Sequence, residues 1–162
     1  MCDGNPYDPF WFPNLSRMGY EQTSPCDKKY NCIAWSIGRQ DRHFWPDPDG
    51  FGEWPISERE ESIECFMAAY VFLGYERCEN DDPSLEPGVE KIALFADGSE
   101  PTHAARQLPD GRWTSKMGRE CEDIAHPLSA VEGPSYGRVV RVLRKPPSQA
   151  AAPSDVQDDP PG

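Results

Sequence analysis

The sequence lacks any apolar run approaching the roughly 20 residues that a bilayer span needs, so a membrane-crossing helix is not expected. It is also poor in positive charge. Sixteen Lys and Arg face 28 Asp and Glu, for a net charge of −12 and a sequence pI of about 4.6. A chain this acidic repels phosphate backbones and anionic headgroups, which argues against nucleic acid and membrane surfaces as partners. The opening Met1-Cys2-Asp3-Gly4-Asn5-Pro6 has no basic stretch followed by an apolar one. No secretory signal is therefore expected, and the protein reads as soluble and cytoplasmic. Cysteine is present six times but never as CxxC, and the spacing of Cys26 and Cys32 is wrong for a zinc knuckle. Reduced thiols packed as small hydrophobes are expected, with no cofactor and no metal. Gly98, Gly111 and Gly133 lack phosphate-loop spacing, and no internal repeat is visible.

What is present fits one domain of α+β class over residues 1–145. Residues 1–29, rich in Pro, Asp and aromatics, read as an irregular N-terminal wrap. Residues 146–162, an acidic Pro- and Ala-rich tail, read as disordered. A short helix is expected at Cys32-Ile33-Ala34-Trp35-Ser36-Ile37, capped by Asn31 and stopped by Gly38. From Asp41 to Pro55, prolines and glycines exclude regular structure, and the aromatics Phe44, Trp45, Phe51 and Trp54 stand in a loop. Ser57 with Glu60 reads as a capping box for a second helix. Its stripe is Ile63, Phe66, Met67, Tyr70 and Leu73, and Gly74 is its stop. The period then changes. Lys91 to Ala96, Thr102 to Leu108 and Arg112 to Lys116 read as an antiparallel meander turned at Asp97-Gly98 and Asp110-Gly111. Tyr136 to Leu143 reads as a last strand, and Glu122 to Glu132 stays unassigned because Pro127 breaks it.

A cysteine at a helix start lies in the positive end of the helix dipole, which favours the nucleophilic thiolate. His103, at the head of the second strand, is a candidate base. This order resembles the papain-like cysteine hydrolases in their compact form, the NlpC-like amidases and endopeptidases. The resemblance implies a papain-like fold, with the cysteine-bearing helix and a second helix packed on a small antiparallel sheet. It further implies Cys32 as nucleophile, His103 as base, and a polar residue on the adjoining strand to orient the imidazole. Ser115 or Thr114 occupies that strand, and Ser115 is the choice; Asp123 and His126 lie outside it. The stretches Tyr-Asn-Cys-Ile-Ala-Trp and Thr-His-Ala-Ala-Arg-Gln-Leu also resemble an uncharacterised bacterial domain family, over roughly residues 28 to 143.

The expected function is thus a thiol-dependent amide or peptide hydrolase, active or degenerate, acting on a peptide or amide substrate. A zinc site built from Cys32, His103, His126 and Asp123 ranks lower, because no two of them have paired-ligand spacing. The alternative is a non-catalytic acidic binding or immunity-type protein that grips a basic protein partner through the aromatic loop 44–54. Trp45, Trp54 and Trp113 are the candidate binding aromatics.

Overall fold

The computed structural model describes residues 9–117 and 122–146. The tail 147–162 and the first eight residues of the N-terminal wrap lie outside them. In chain order the elements are α1 (Pro13–Met18), β1 (Glu21–Gln22), α2 (Cys32–Ser36), α3 (Ile63–Phe72), β2 (Glu76–Arg77), β3 (Glu90–Asp97), β4 (Glu100–Gln107), β5 (Trp113–Lys116), β6 (Asp123–His126) and β7 (Arg138–Lys145). Short 3-10 turns occupy Glu79–Asp81 and Leu128–Val131. The seven strands make one sheet in the order β1-β6-β5-β4-β3-β7-β2, and every pairing is antiparallel. No helix among the described residues is long and apolar enough to cross a membrane.

Alternation along the strands sorts the interior into two layers. Ile92, Leu94, Ala104 and Leu143 face Ile33 and Ala34 of α2 and Phe66 and Tyr70 of α3. Ala93, Phe95, Ala105, Trp113, Ile124 and Val142 face Leu15 of α1 and the Ala130–Val131 turn. With both faces covered, β3 reads as a nearly unbroken apolar run, buried from Lys91 to Ala96. Lys91 enters that run because its ammonium finds three acceptors: the carbonyls of Asp82 and Ser84 at 2.9 and 2.7 Å and Glu86 at 2.9 Å. The α+β class follows from this arrangement.

Several expectations change on contact with the structure. The N-terminal wrap is not irregular throughout, since it contains α1 and the edge strand β1; Leu15 is fully buried and Asn14 Nδ2 donates to Ser129 O at 3.0 Å. Residues Asp123–His126 form a strand before Pro127 interrupts. Trp113 is 3 % exposed and belongs to the core rather than to a binding surface. Cys26 is disulfide-bonded, against the expectation of reduced thiols throughout, while Cys32, Cys65 and Cys78 are free.

The second helix starts later than its capping box implies. Ser62, not Ser57, is the cap, and its hydroxyl accepts from Cys65 N at 3.1 Å. Arg59 is the physical reason. Its guanidinium donates to Asp47 O at 2.9 Å and Gly52 O at 3.0 Å, drawing residues 57–61 towards the aromatic loop and away from a helical path. Ser62→Ala is expected to cost about 1 kcal/mol, the usual worth of a cap. Ser57→Ala should stay within about 0.5 kcal/mol, as surface changes do. Denaturant melts of the two variants check the assignment, and equal losses would contradict it.

Candidate functional site

Asn31 builds the start of α2 and joins it to the aromatic loop at the same time. Its Oδ1 accepts from Ala34 N at 3.1 Å, the capping bond, and from Phe44 N at 3.0 Å. Its Nδ2 donates to Phe44 O at 2.7 Å. The side chain is almost fully buried with these bonds made. Gly38, at φ 80°, stops the helix as expected. The helix therefore starts where Cys32 meets the loop.

The loop is stiff despite having no regular structure. Asp47 accepts from Phe51 N at 2.8 Å and Gly52 N at 2.9 Å, and Arg59 closes the turn from outside. A Cβ on Gly52 would lie 3.0 Å from both the N and the O of Trp45, so only glycine allows the two arms to approach. Between this loop and the sheet lies a cleft of about 670 Å³, lined by Asn31, Cys32, His43, Trp45, Asp47, Phe51, Gly52, Thr102 and Tyr136. Cys32, partly buried, lines it, and Phe51, 89 % exposed, stands on its rim. The Thr102 hydroxyl donates to Tyr136 O and ties the far wall together.

Of the three candidate aromatics, only Trp45 lines this cleft. Its ring packs edge-on to Phe66 and its indole N–H donates to Glu61 at 2.9 Å. Trp54 also packs against Phe66, with its indole nitrogen buried and without a partner among the described residues. The lining residues that the sequence reading did not offer as site residues are His43 and Tyr136, and Phe51 stood only as one of the aromatics of the loop. Asp47-Pro-Asp-Gly50 just before Phe51 was the available signal, since a turn of that kind presents whatever follows it.

Burial pushes the Cys32 thiol up to about 11. The amides of Ala104, Ile33 and Cys32 itself and the charge of Lys116 pull the other way without overcoming it. A lowered value was expected from the helix dipole. Five residues make too short a helix for its field to offset the loss of water around the sulfur.

His103 is fully buried. Its Nε2 lies 2.9 Å from Ser115 Oγ, so the residue chosen to orient the imidazole does touch it. Ser115 Oγ lies in turn 2.7 Å from His126 Nε2, and His126 Nδ1 lies 2.7 Å from Pro127 O. The ring of Tyr136 stacks on His103 at 4.0 Å, nearly parallel, and Phe95 meets it edge-on. Burial lowers His103 well below the usual histidine range, with His126 adding to the effect, and lowers His126 to about 4. Both rings are neutral at neutral pH.

Cys32 and His103 do not hydrogen-bond: His103 Nδ1 is buried without a partner. Strand alternation turns His103 towards Phe95 and Ala105, whereas α2 covers Ala104 and Arg106 on the other face. Ala104, the next residue, is the one in β4 whose amide acts to lower the Cys32 thiol. β4 and β5 pair only at Arg106↔Thr114 and Gln107↔Trp113, so Ala104 lies beyond their last pair. Asp123 turns the other way, accepting from Tyr30 OH at 2.9 Å. Among the described residues no group of three or more His, Cys, Asp or Glu side chains is placed to hold a metal.

Asn31→Ala should destabilise the fold by about 2–4 kcal/mol, because it removes a cap and leaves Phe44 N and O unsatisfied. Thermal or denaturant melting reads this. Alkylation of Cys32 by iodoacetamide should be slow at neutral pH and rise steeply as pH approaches about 11, as more thiolate forms. A rate that levels off below pH 8 would contradict the raised value.

A family model described as "Domain of unknown function (DUF7689)" matches residues 21–144. No curated protein and no solved structure matches the chain.

Proposed function

The chain belongs to the DUF7689 family, whose description carries no activity, and on the chemistry of this site we propose that it is a thiol-dependent amide or peptide hydrolase of papain-like arrangement. Cys32 is the nucleophile and His103 its base. The observation that carries the reading is the imidazole of His103. It is held at Nε2 by Ser115 and clamped by Tyr136, with Nδ1 left bare one residue from Ala104, whose amide acts to lower the Cys32 thiol.

In the reaction, Cys32 Sγ attacks the substrate carbonyl while His103 takes the thiol proton and returns it to the leaving amine. The Cys32 amide at the helix start faces the developing oxyanion. Thiol and imidazole are both neutral at rest. With the thiol at about 11, roughly one sulfur in ten thousand is thiolate at pH 7, which makes this a slow hydrolase.

The raised thiol and the missing hydrogen bond to His103 favour a second reading, a non-catalytic module that uses the cleft and the exposed Phe51 to hold a basic partner segment. Acyl transfer separates the two. With p-nitrophenyl acetate as probe, the hydrolase should acquire an acetyl group on Cys32, seen by peptide mass mapping, and release it. Cys32→Ala should abolish the adduct at that peptide, and His103→Ala should slow its formation on the order of 10²-fold or more. Acetylation that ignores His103, or spreads evenly over Cys32, Cys65 and Cys78, would leave the binding module as the reading.

A further inference from the structure

The hydrogen bonds behind His103 leave little freedom in where its protons sit. A carbonyl oxygen only accepts, so His126 Nδ1, 2.7 Å from Pro127 O, carries a hydrogen. His126 is neutral, so its Nε2 is bare and accepts from Ser115 Oγ at 2.7 Å. Ser115 has one hydrogen, now given to His126, so its oxygen accepts from His103 Nε2 at 2.9 Å. His103 Nε2 is therefore protonated, and Nδ1 holds the free lone pair. Ring rotation does not undo this, because His103 is packed between Tyr136 and Phe95.

We propose that His126 is a positioning residue which, acting through Ser115, fixes His103 as the Nε2–H tautomer and so reserves Nδ1 as the proton acceptor. The catalytic half of this rests on the hydrolase reading; the tautomer does not. In the acylation step the Sγ–carbon bond forms, the carbonyl electron pair moves to oxygen, and the thiol proton passes to Nδ1. Nε2–H stays on Ser115 throughout. On collapse Nδ1–H goes to the leaving amine as the carbon–nitrogen bond breaks, leaving a thioester. Water then attacks with Nδ1 again as base, giving the acid and the free thiol. In the opposite tautomer Nδ1 would already carry a hydrogen and accept nothing.

His126 and Ser115 are two strands and one strand away from β4, and neither lines the cleft. A purely structural role would require that the pair be satisfied, but not that Nδ1 be left empty. Nδ1 is among the few buried side-chain polar atoms without a partner in the described residues.

The test is NMR of the full chain labelled with ¹⁵N-histidine, in which long-range nitrogen–proton correlations distinguish the two tautomers. The three histidines are assigned with a His43→Gln variant. The wild type should show His103 as Nε2–H. His126→Gln keeps an acceptor for Ser115 and a donor for Pro127 O and should retain that tautomer. His126→Leu frees the Ser115 hydroxyl to donate to His103, and Nδ1–H should appear. Acetylation of Cys32 by p-nitrophenyl acetate should then fall on the order of 10²-fold, the scale of a lost general base. If His126→Leu does not fold, Ser115→Ala serves, and should likewise lose the single tautomer. Finding His103 as Nδ1–H in the wild type, or unchanged as Nε2–H in the folded Leu or Ala variant, overturns the proposal. A tautomer that follows residue 126 while acetylation ignores Cys32 upholds the positioning role and removes the hydrolase reading instead.

Discussion

The Asn31 side chain makes three hydrogen bonds, and the site depends on all of them. One satisfies the first turn of α2; the other two hold the backbone of Phe44. A five-residue helix cannot sustain itself in water. It exists because Asn31 ends it on one side, Ile33 and Ala34 pack beneath it, and the Trp35 indole donates to Thr114 on the sheet at 3.0 Å. The aromatic loop is equally dependent, since its entry strand hangs on the same amide group. Helix start, thiol and cleft wall thus form one unit around a single buried side chain.

Burial and the helix field oppose each other at Cys32, and burial wins. Burial raises the thiol, and the amides of Ala104, Ile33 and Cys32 offset only part of that. Burial acts likewise on His103 and His126, where it removes charge from the imidazoles. One physical cause therefore sets the whole polar group to its neutral state. His103 has an oxygen on one nitrogen only.

Much of this was legible in the residues themselves. Asn31 and Gly38 bracket α2 because cap and left-handed stop are local chemistry, written in adjacent positions. The meander could be read because Asp-Gly dipeptides fall between runs of period two. Ser115 beside His103 followed from strand order, since antiparallel neighbours in a meander bring such residues together. The later start of α3 was not legible, because Arg59 reaches back to Asp47 and Gly52 across the loop, a long-range bond with no sequence signature. Nor was the membership of Trp113 in the core, which is decided by which face of β5 the turn of α1 covers. His126 stood only as a further candidate outside the expected strand, because its place beside Ser115 needs β6, and β6 is short and followed at once by Pro127.

The Cys32 sulfur leans on the amide of Ala104, in a stretch where β4 has no partner in β5. A side chain that served the thiol there would be open to replacement, one codon at a time. A main-chain N–H is present whatever residue is encoded, proline alone excepted. Sequence drift at position 104 is thus filtered for size by the packing against α2, while the contact itself passes through unaltered. The polar support of the sulfur is inherited with the path of the chain rather than with the identity of any residue along it.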